Sequence, residues 1–169
     1  KKIGPFPSDS NTLCEDCHPE EVDAWRGSPM GRSMGPASRI GRQVPPRATV
    51  KHPLTGELFK IDVGPKNTLQ FAGPNGAERQ ANWVIGSGQH THSFMWETTQ
   101  GLRVMPLTWY AGKGWDLTPG YTVSAHPSFY RSVNVECINC HGKRIPSSAG
   151  STNHFTTKDF APIQCEQCH

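Results

Sequence analysis

The chain has 169 residues, of which 34% are hydrophobic, and its 17 Gly and 15 Pro favour turns over long periodic elements. Its formal charge of +3 comes from singly scattered Lys and Arg residues, which argues against a nucleic-acid-binding surface. No run approaches the roughly 20 apolar residues that span a bilayer, and Lys1–Pro5 is too short and polar for a signal peptide, so we expect a mature chain without a membrane span.

Residues 1–45 contain the first copy of a Cys-x-x-Cys-His pentapeptide and a short predicted helix. Pro19 stands at a first-turn position, and Val22 and Trp25 follow at a spacing of three residues. This pattern predicts one or two helical turns directly after the pentapeptide. A stretch rich in Gly and Pro begins at Gly27 and ends the predicted helix.

Residues 46–110 predict short strands separated by turns. Strand-forming sequences occupy residues 57–63 and 67–71, on either side of Gly64-Pro65-Lys66. A second Gly- and Pro-rich turn leads to a third strand that ends at residues 83–85. The sequence therefore predicts a small antiparallel β-meander.

Residues 111–169 carry the second and third copies of the pentapeptide. From about residue 106 onward the sequence predicts mainly loops. A short helix is predicted over Pro127–Val133, running into the second pentapeptide. No other internal repeat and no low-complexity segment occurs.

All six cysteines fall in the three pentapeptides, and none is left over. Two thiols three positions apart reach the two vinyl groups of one haem as thioethers, and the next imidazole becomes the proximal iron ligand. The pattern therefore predicts three covalent haems c. The predicted attachment residues are Cys14, Cys17, Cys137, Cys140, Cys165 and Cys168, and the predicted proximal ligands are His18, His141 and His169.

Zinc sites and disulfides also use closely spaced cysteines, but neither explains the whole pattern. Structural zinc takes four ligands, usually from two Cys-x-x-Cys pairs, so a third pair is left over unless His completes its site. Disulfides could pair all six cysteines, yet they give no reason for a His after every second one. Covalent haem explains both features.

Three haems change how composition and charge are interpreted. Each macrocycle is a large apolar body, so we expect one irregular α+β domain over residues 1–169, in which a short antiparallel β-meander, short helices and long loops surround the haems. The haem propionates would move the charge from +3 to about −3, so the sequence charge does not identify partners. Attachment of haem to Cys requires export, which predicts a periplasmic or extracellular location.

Several segments resemble the haem domain of multihaem c-type cytochromes that are often joined to tetratricopeptide repeats. They are Ser28–Met34, Ile85–His90, Pro106–Tyr110, Pro119–Tyr121 and Phe129–Arg131. The resemblance covers nearly the whole chain and implies an electron-transfer function. It also implies His90, His52 and Met30 as iron ligands. Family members usually continue past the last pentapeptide with Gly-Pro-Gly and a further His, a segment that is absent here.

More histidines lie outside the pentapeptides than three irons require as distal ligands. They are His52, His90, His92, His126 and His154. The surplus favours iron bound on both faces, that is, low-spin haems that pass electrons without binding substrate.

Local sequence ranks the candidate distal ligands. His90 comes first, because the turn at residues 86–88 contains two glycines and lets backbone approach a macrocycle closely. His52 and His126 come second, since each precedes a Pro that favours an extended and stiff segment. His92 is either a ligand or a donor to a propionate.

Two methionines and three basic residues complete the candidate set. Met30 and Met34 compete as thioether ligands of the first haem, or they fill gaps against the porphyrin; packing is favoured for Met34. Arg103, Arg131 and Lys113 are candidate propionate partners by charge alone.

The third haem poses a separate question, because its proximal ligand His169 is the last residue given. We expect its distal ligand to come from upstream or from another molecule. His126 is the first internal candidate, and His154 is the second. A histidine from a neighbouring copy would instead link haems across an interface and build a filament.

Three functions are compatible with these observations. The first is an electron carrier, assembled into an extracellular filament or working with other redox proteins. The second is a reductase that acts on a nitrogen or sulfur oxyanion at one open haem, and it requires a five-coordinate iron. The third is a non-catalytic haem module that docks a larger complex. The sequence favours the electron carrier.

Overall fold

Burial alternates along the strands in the way that their sequences predict. In the strand Leu58–Val63, Phe59 and Ile61 are buried, whereas Lys60 and Asp62 are exposed. The computed structural model describes residues 11–40, 43–99, 101–145 and 157–169. Its architecture is two open antiparallel sheets with few short helices and many loops, which confirms the irregular α+β prediction.

Three α-helices and nine strands occur in the described part of the chain. The helices are α1 (Thr12–Glu15), α2 (Pro19–Gly27) and α3 (Val135–His141). The strands are β1 (Met34–Pro36), β2 (Arg47–Lys51), β3 (Leu58–Val63), β4 (Leu69–Ala72), β5 (Glu78–Gln80), β6 (Trp83–Ile85), β7 (Thr91–Thr98), β8 (Gly101–Tyr110) and β9 (Gly114–Leu117). None of the described helices is long and apolar enough to cross a membrane.

Helix α2 confirms the helix predicted after the first pentapeptide. Pro19 opens it, Val22 is buried, and the backbone N–H and hydroxyl of Ser28 both donate to the carbonyl of Trp25 at its end. The indole N–H of Trp25 donates to the carbonyl of Ile163 over 2.9 Å. The helix is thereby fixed to the segment that precedes the third pentapeptide.

The predicted β-meander forms a four-stranded sheet in the order β2-β3-β4-β5. The strand predicted to end at Ile85 belongs elsewhere, because β6 pairs with β1 and β7 in a second sheet of order β1-β6-β7-β8-β9. Two consecutive residues mark the change of sheet. The N–H of Ala81 donates to Leu69 in the first sheet, and the N–H of Asn82 donates to Met95 in the second.

The prediction of a helix over Pro127–Val133 is wrong. Ser128 has φ 49°, and Ser132 forms a bridge with Arg103 of β8. The hydrogen bonds that a helix would make internally are made instead with β8, as when the N–H of Val104 donates to the carbonyl of Arg131. The prediction of loops from about residue 106 is also incomplete, since β8 continues to Tyr110 and β9 follows.

Two clusters of buried side chains fill the described part of the protein. The first lies between the sheets, and its largest members are Phe59, Phe71, Phe94, Tyr121 and Phe129. The second joins β1, β7 and β8 to α3 and contains Met34, Met95, Leu102, Val133, Val135, Ile138, Ile145 and Phe160. Aliphatic residues are the more numerous in both clusters, and aromatic and methionine side chains fill the space between them.

Candidate haem-attachment sites

The second pentapeptide forms helix α3, and this conformation gathers its three reactive residues. Cys137, Cys140 and His141 stand at positions i, i+3 and i+4, which share one helix face, and all three are exposed. Val135 and Ile138 are buried in the second cluster. Two thiols and one imidazole therefore lie together on the open side of a helix that is anchored by its apolar side.

A groove of about 480 Å³ lies beside α3, and all three of those residues line it. Its apolar lining consists of Ile85, Phe94, Met95, Val104, Pro119 and Val133. Its polar lining consists of Ser93, Thr118, Arg131 and Glu136. This volume is within the range of cofactor sites, which are mostly apolar with a few polar groups. The residues present therefore fit a haem.

Gly142 ends α3 at a position where no side chain fits. A Cβ there would lie 2.6 Å from Met34 Sδ and 2.8 Å from the carbonyl oxygen of Ala161. Met34 is fully buried at this contact, among the side chains of the second cluster. The close approach fixes the residue after His141 against two other segments.

The first pentapeptide joins the two N-terminal helices. The N–H of His18 donates to the carbonyl of Cys14 over 2.8 Å, and Cys17 and His18 are exposed. Glu15 accepts two hydrogen bonds from the Arg26 guanidinium, at 2.7 and 2.5 Å, which hold α1 against α2. The apolar side chain of Leu13, which directly precedes Cys14, is 82% exposed and offers a surface for a macrocycle to cover.

The third pentapeptide forms a short turn of 3₁₀ helix over Cys165–Gln167. A reciprocal pair of hydrogen bonds between Gln164 and Gln167 caps this turn, and Gln164 is buried. Cys168 and His169 are exposed. No disulfide joins any of the six cysteines, and the described residues hold no cluster of three or more His, Cys, Asp or Glu suited to a metal ion.

His52 is fully buried, and both of its ring nitrogens bond to the protein. Nδ1 accepts hydrogen bonds from the N–H groups of Leu54 and Thr55 at 3.2 and 3.0 Å, so Nε2 carries the proton and donates to the carbonyl of Tyr121 at 2.7 Å. Iron ligation would require the ring to leave these bonds. The ligand role of His52 stays a prediction.

His126 is held in the same way. Its Nδ1 accepts from the N–H of Ser128 at 3.2 Å, so its Nε2 donates to Glu57 Oε2 at 2.6 Å. Hydrogen bonds from the Thr55 hydroxyl and from His126 lower the pKa of the Glu57 carboxyl. The rings of His52 and His126 lie 4.7 Å apart, so two predicted ligands form one polar network.

His92 lies under the glycine turn that precedes it. Its ring stacks on Trp109, and its Nδ1 donates to the carbonyl of Gly86 at 3.1 Å. Gly88 has φ +85°, and a Cβ there would lie 2.5 Å from His92 Nε2. The group that this turn approaches closely is therefore an imidazole of the protein itself.

His92 should make stability depend on pH. Burial lowers its pKa from 6.5 to about 4, so between these values the unfolded chain binds a proton that the folded chain does not. We expect the free energy of unfolding to fall as the pH is lowered through this window, by up to about 1.4 kcal/mol per pH unit. Urea unfolding at pH 7 and pH 5 measures the effect. The variant His92→Phe should show a smaller decrease, and an equal decrease would contradict the assignment.

The remaining candidates are exposed or lie outside the described residues. His90 is exposed, and among the described residues its ring has no hydrogen-bond partner. Met30 is 49% exposed. His154 falls outside the described residues. Of the three predicted propionate partners, Arg131 lines the groove. Its Nη1 donates to the carbonyl of Pro119.

The groove and the polar network carry information that sequence reasoning missed. The groove walls come from β6, β7 and β8, which lie far along the chain from Cys137, and no local signal links them. The network joins His52 to Tyr121 across 69 positions. Alternation of His92 with Phe94 along β7 is a local signal that could have indicated a buried His92.

Comparison with known proteins gives one family match. The family described as cytochrome c554 and c-prime matches residues 121–169, which contain the second and third pentapeptides and helix α3. No curated protein and no solved structure matches the chain. The match covers less than a third of the chain and supports a c-type cytochrome, a class of protein that holds haem c covalently and carries electrons.

Proposed function

We propose that this chain is an exported electron carrier with three covalent haems c, one on each pentapeptide, held in a single multihaem domain. The observation that carries the proposal is the apolar groove that Cys137, Cys140 and His141 line together. Each bound haem supplies an iron that alternates between the ferric and ferrous states. Other redox proteins, or further copies of this chain, would donate and accept the electrons.

The residues of each pentapeptide have separate roles in this proposal. The two cysteines tether the haem, and the histidine binds the iron on one face. At the second site the apolar groove walls exclude water, and Arg131 neutralises a propionate at the polar part of the lining. The buried His52 and the partly buried His126 support the fold through their hydrogen bonds.

Haem content tests the proposal directly. A pyridine haemochrome assay on denatured protein should give three haems per chain, because thioether bonds survive denaturation. Two or fewer would contradict the proposal. The oxidised protein should also be low-spin throughout, whereas a high-spin component that shifts with nitrite or cyanide would favour the reductase.

His90 is the distal ligand that we propose for one haem, since its ring is exposed and bonds to no described residue. The variant His90→Ala should open one iron, so that the reduced protein binds carbon monoxide and the oxidised protein binds cyanide. Visible spectra before and after each addition measure the effect. A variant that stays low-spin and binds neither would show that His90 is not a ligand, and His92→Ala is the next variant to measure.

The filament is tested by assembly. Sedimentation and electron microscopy of the native protein distinguish a filament of this chain alone from a module that elutes with a larger partner. A monomer at all concentrations would exclude the filament and leave the electron carrier intact.

A further inference from the structure

The first and third pentapeptides are joined through one buried side chain. The carbonyl of Asn11 accepts the N–H of Cys14 at 3.0 Å, and its side-chain Oδ1 accepts the N–H of Cys165 at 3.1 Å. Asn11 is 1% exposed, so both bonds are shielded from water. One residue thus fixes the start of the third pentapeptide beside the start of the first.

The segments around these two pentapeptides hold the same arrangement. Ile163 accepts the indole N–H of Trp25 on α2, and its own N–H donates to the Ser33 hydroxyl at 3.0 Å. Helix α2 begins directly after His18. Three hydrogen bonds therefore hold residues 163–165 against the N-terminal part of the chain that contains the first pentapeptide.

The middle residue of the third pentapeptide contacts the residue that follows the second pentapeptide. The side-chain amide of Gln167 donates to the carbonyl of Gly142 at 3.2 Å, and Gly142 directly follows His141. The N–H of Lys143 donates to the carbonyl of Ala161 at 2.8 Å. The third pentapeptide is therefore bound to the residue three positions before the first pentapeptide and to the residue directly after the second.

From this arrangement we propose that the haems lie in the order first, third, second, and that electrons between the first and second pass through the third. A haem tethered by two thioethers and bound by the adjacent imidazole stays against its own pentapeptide. Pentapeptides that are joined through a single flanking residue therefore hold neighbouring haems. In each transfer one ferrous iron is oxidised and the neighbouring ferric iron is reduced, with no bond made or broken and no proton moved.

The order rests on the proposed function, because it presupposes three haems, and the experiment separates the two. Haem content is measured first by the pyridine haemochrome assay. A stepwise redox titration, followed by NMR of the haem methyl groups, then gives the amount by which oxidation of each haem shifts the potential of each other haem. The variants His18→Met, His141→Met and His169→Met assign the signals, since each changes the ligand of one iron.

We expect the largest shifts in potential to occur between the first and third haems and between the third and second haems. Removing the third haem with Cys165→Ala/Cys168→Ala should slow electron exchange between the first and second at least tenfold. If this double variant fails to fold, the titration of the wild-type protein still decides the order.

Two single variants test the hydrogen bonds of Asn11 and Gln167, and each variant is the control for the other. Asn11→Ala should weaken the first–third interaction more than the third–second one. Gln167→Ala, which also removes half of the cap of the third pentapeptide, should weaken the third–second interaction more than the first–third one. Three haems whose strongest interaction is first with second would contradict the order alone. Fewer than three haems would contradict the proposed function and, with it, the order.

Discussion

Replacement of Cys137 and Cys140 by Ala should remove one haem and strongly destabilise the protein. The apolar lining of the groove beside α3, including the half-buried Ile85 of β6 and Val104 of β8, would then face water. Full burial of such a side chain contributes about 1.5–3 kcal/mol, so exposure of these two should cost on the order of 2–3 kcal/mol. Haem content and denaturant unfolding measure the two effects.

The control for this prediction is Cys14→Ala/Cys17→Ala. It should also remove one haem, but the surroundings of the first pentapeptide include the already exposed Leu13, so the loss of stability should be smaller. Equal losses in the two variants would show that the groove does not hold the second haem. If the Cys137→Ala/Cys140→Ala variant lost its haem but kept its free energy of unfolding, the groove would likewise be shown not to hold the second haem.

The second large effect should come from His52→Leu. This change leaves the carbonyl of Tyr121 and the N–H groups of Leu54 and Thr55 without their partner at a fully buried position. Each buried polar group that loses its partner costs about 1–3 kcal/mol, so we expect a loss on the order of 2–5 kcal/mol. Thermal or urea unfolding measures it.

The haem spectrum of the same variant decides between the two roles of His52. Because both ring nitrogens already bond to the protein, we expect an unchanged low-spin spectrum. A new high-spin band and cyanide binding would instead establish His52 as a ligand. The matched variant His90→Ala should behave in the opposite way, with a changed spectrum and almost unchanged stability, since that side chain is exposed.

Local patterns were sufficient for the elements that local physics determines. Pro19 and the spacing of Val22 and Trp25 predicted α2, and alternation with Gly-Pro turns predicted β3 and β4. The sheet that contains Trp83–Ile85 could not be predicted in this way. Its partner Met34–Pro36 lies about 50 residues upstream, and only tertiary pairing selects it.

The candidate site also combines features that local sequence shows with contacts that only the tertiary structure shows. The spacing of cysteines and histidines was visible in the sequence, and so was the small-residue turn at Gly86–Gly88. The residue beneath that turn was not visible, because the stacking of His92 on Trp109 depends on the β7–β8 register. For the same reason, the bond between His126 and Glu57 had no local signal, since 69 positions separate the two residues.

The hydrogen bond between Asn11 and Cys165 also has a consequence for the rate of folding. It connects residues 154 positions apart, so it closes a loop that contains both sheets and helix α3. Contacts of such wide sequence separation repay their loop-closure entropy only after the intervening chain is ordered, and proteins rich in them fold slowly. We therefore expect helices α1 and α2 and the turn at Cys165–Gln167 to dock last, onto β-structure that is already formed. The proposed electron path would then become continuous only at that final step of folding.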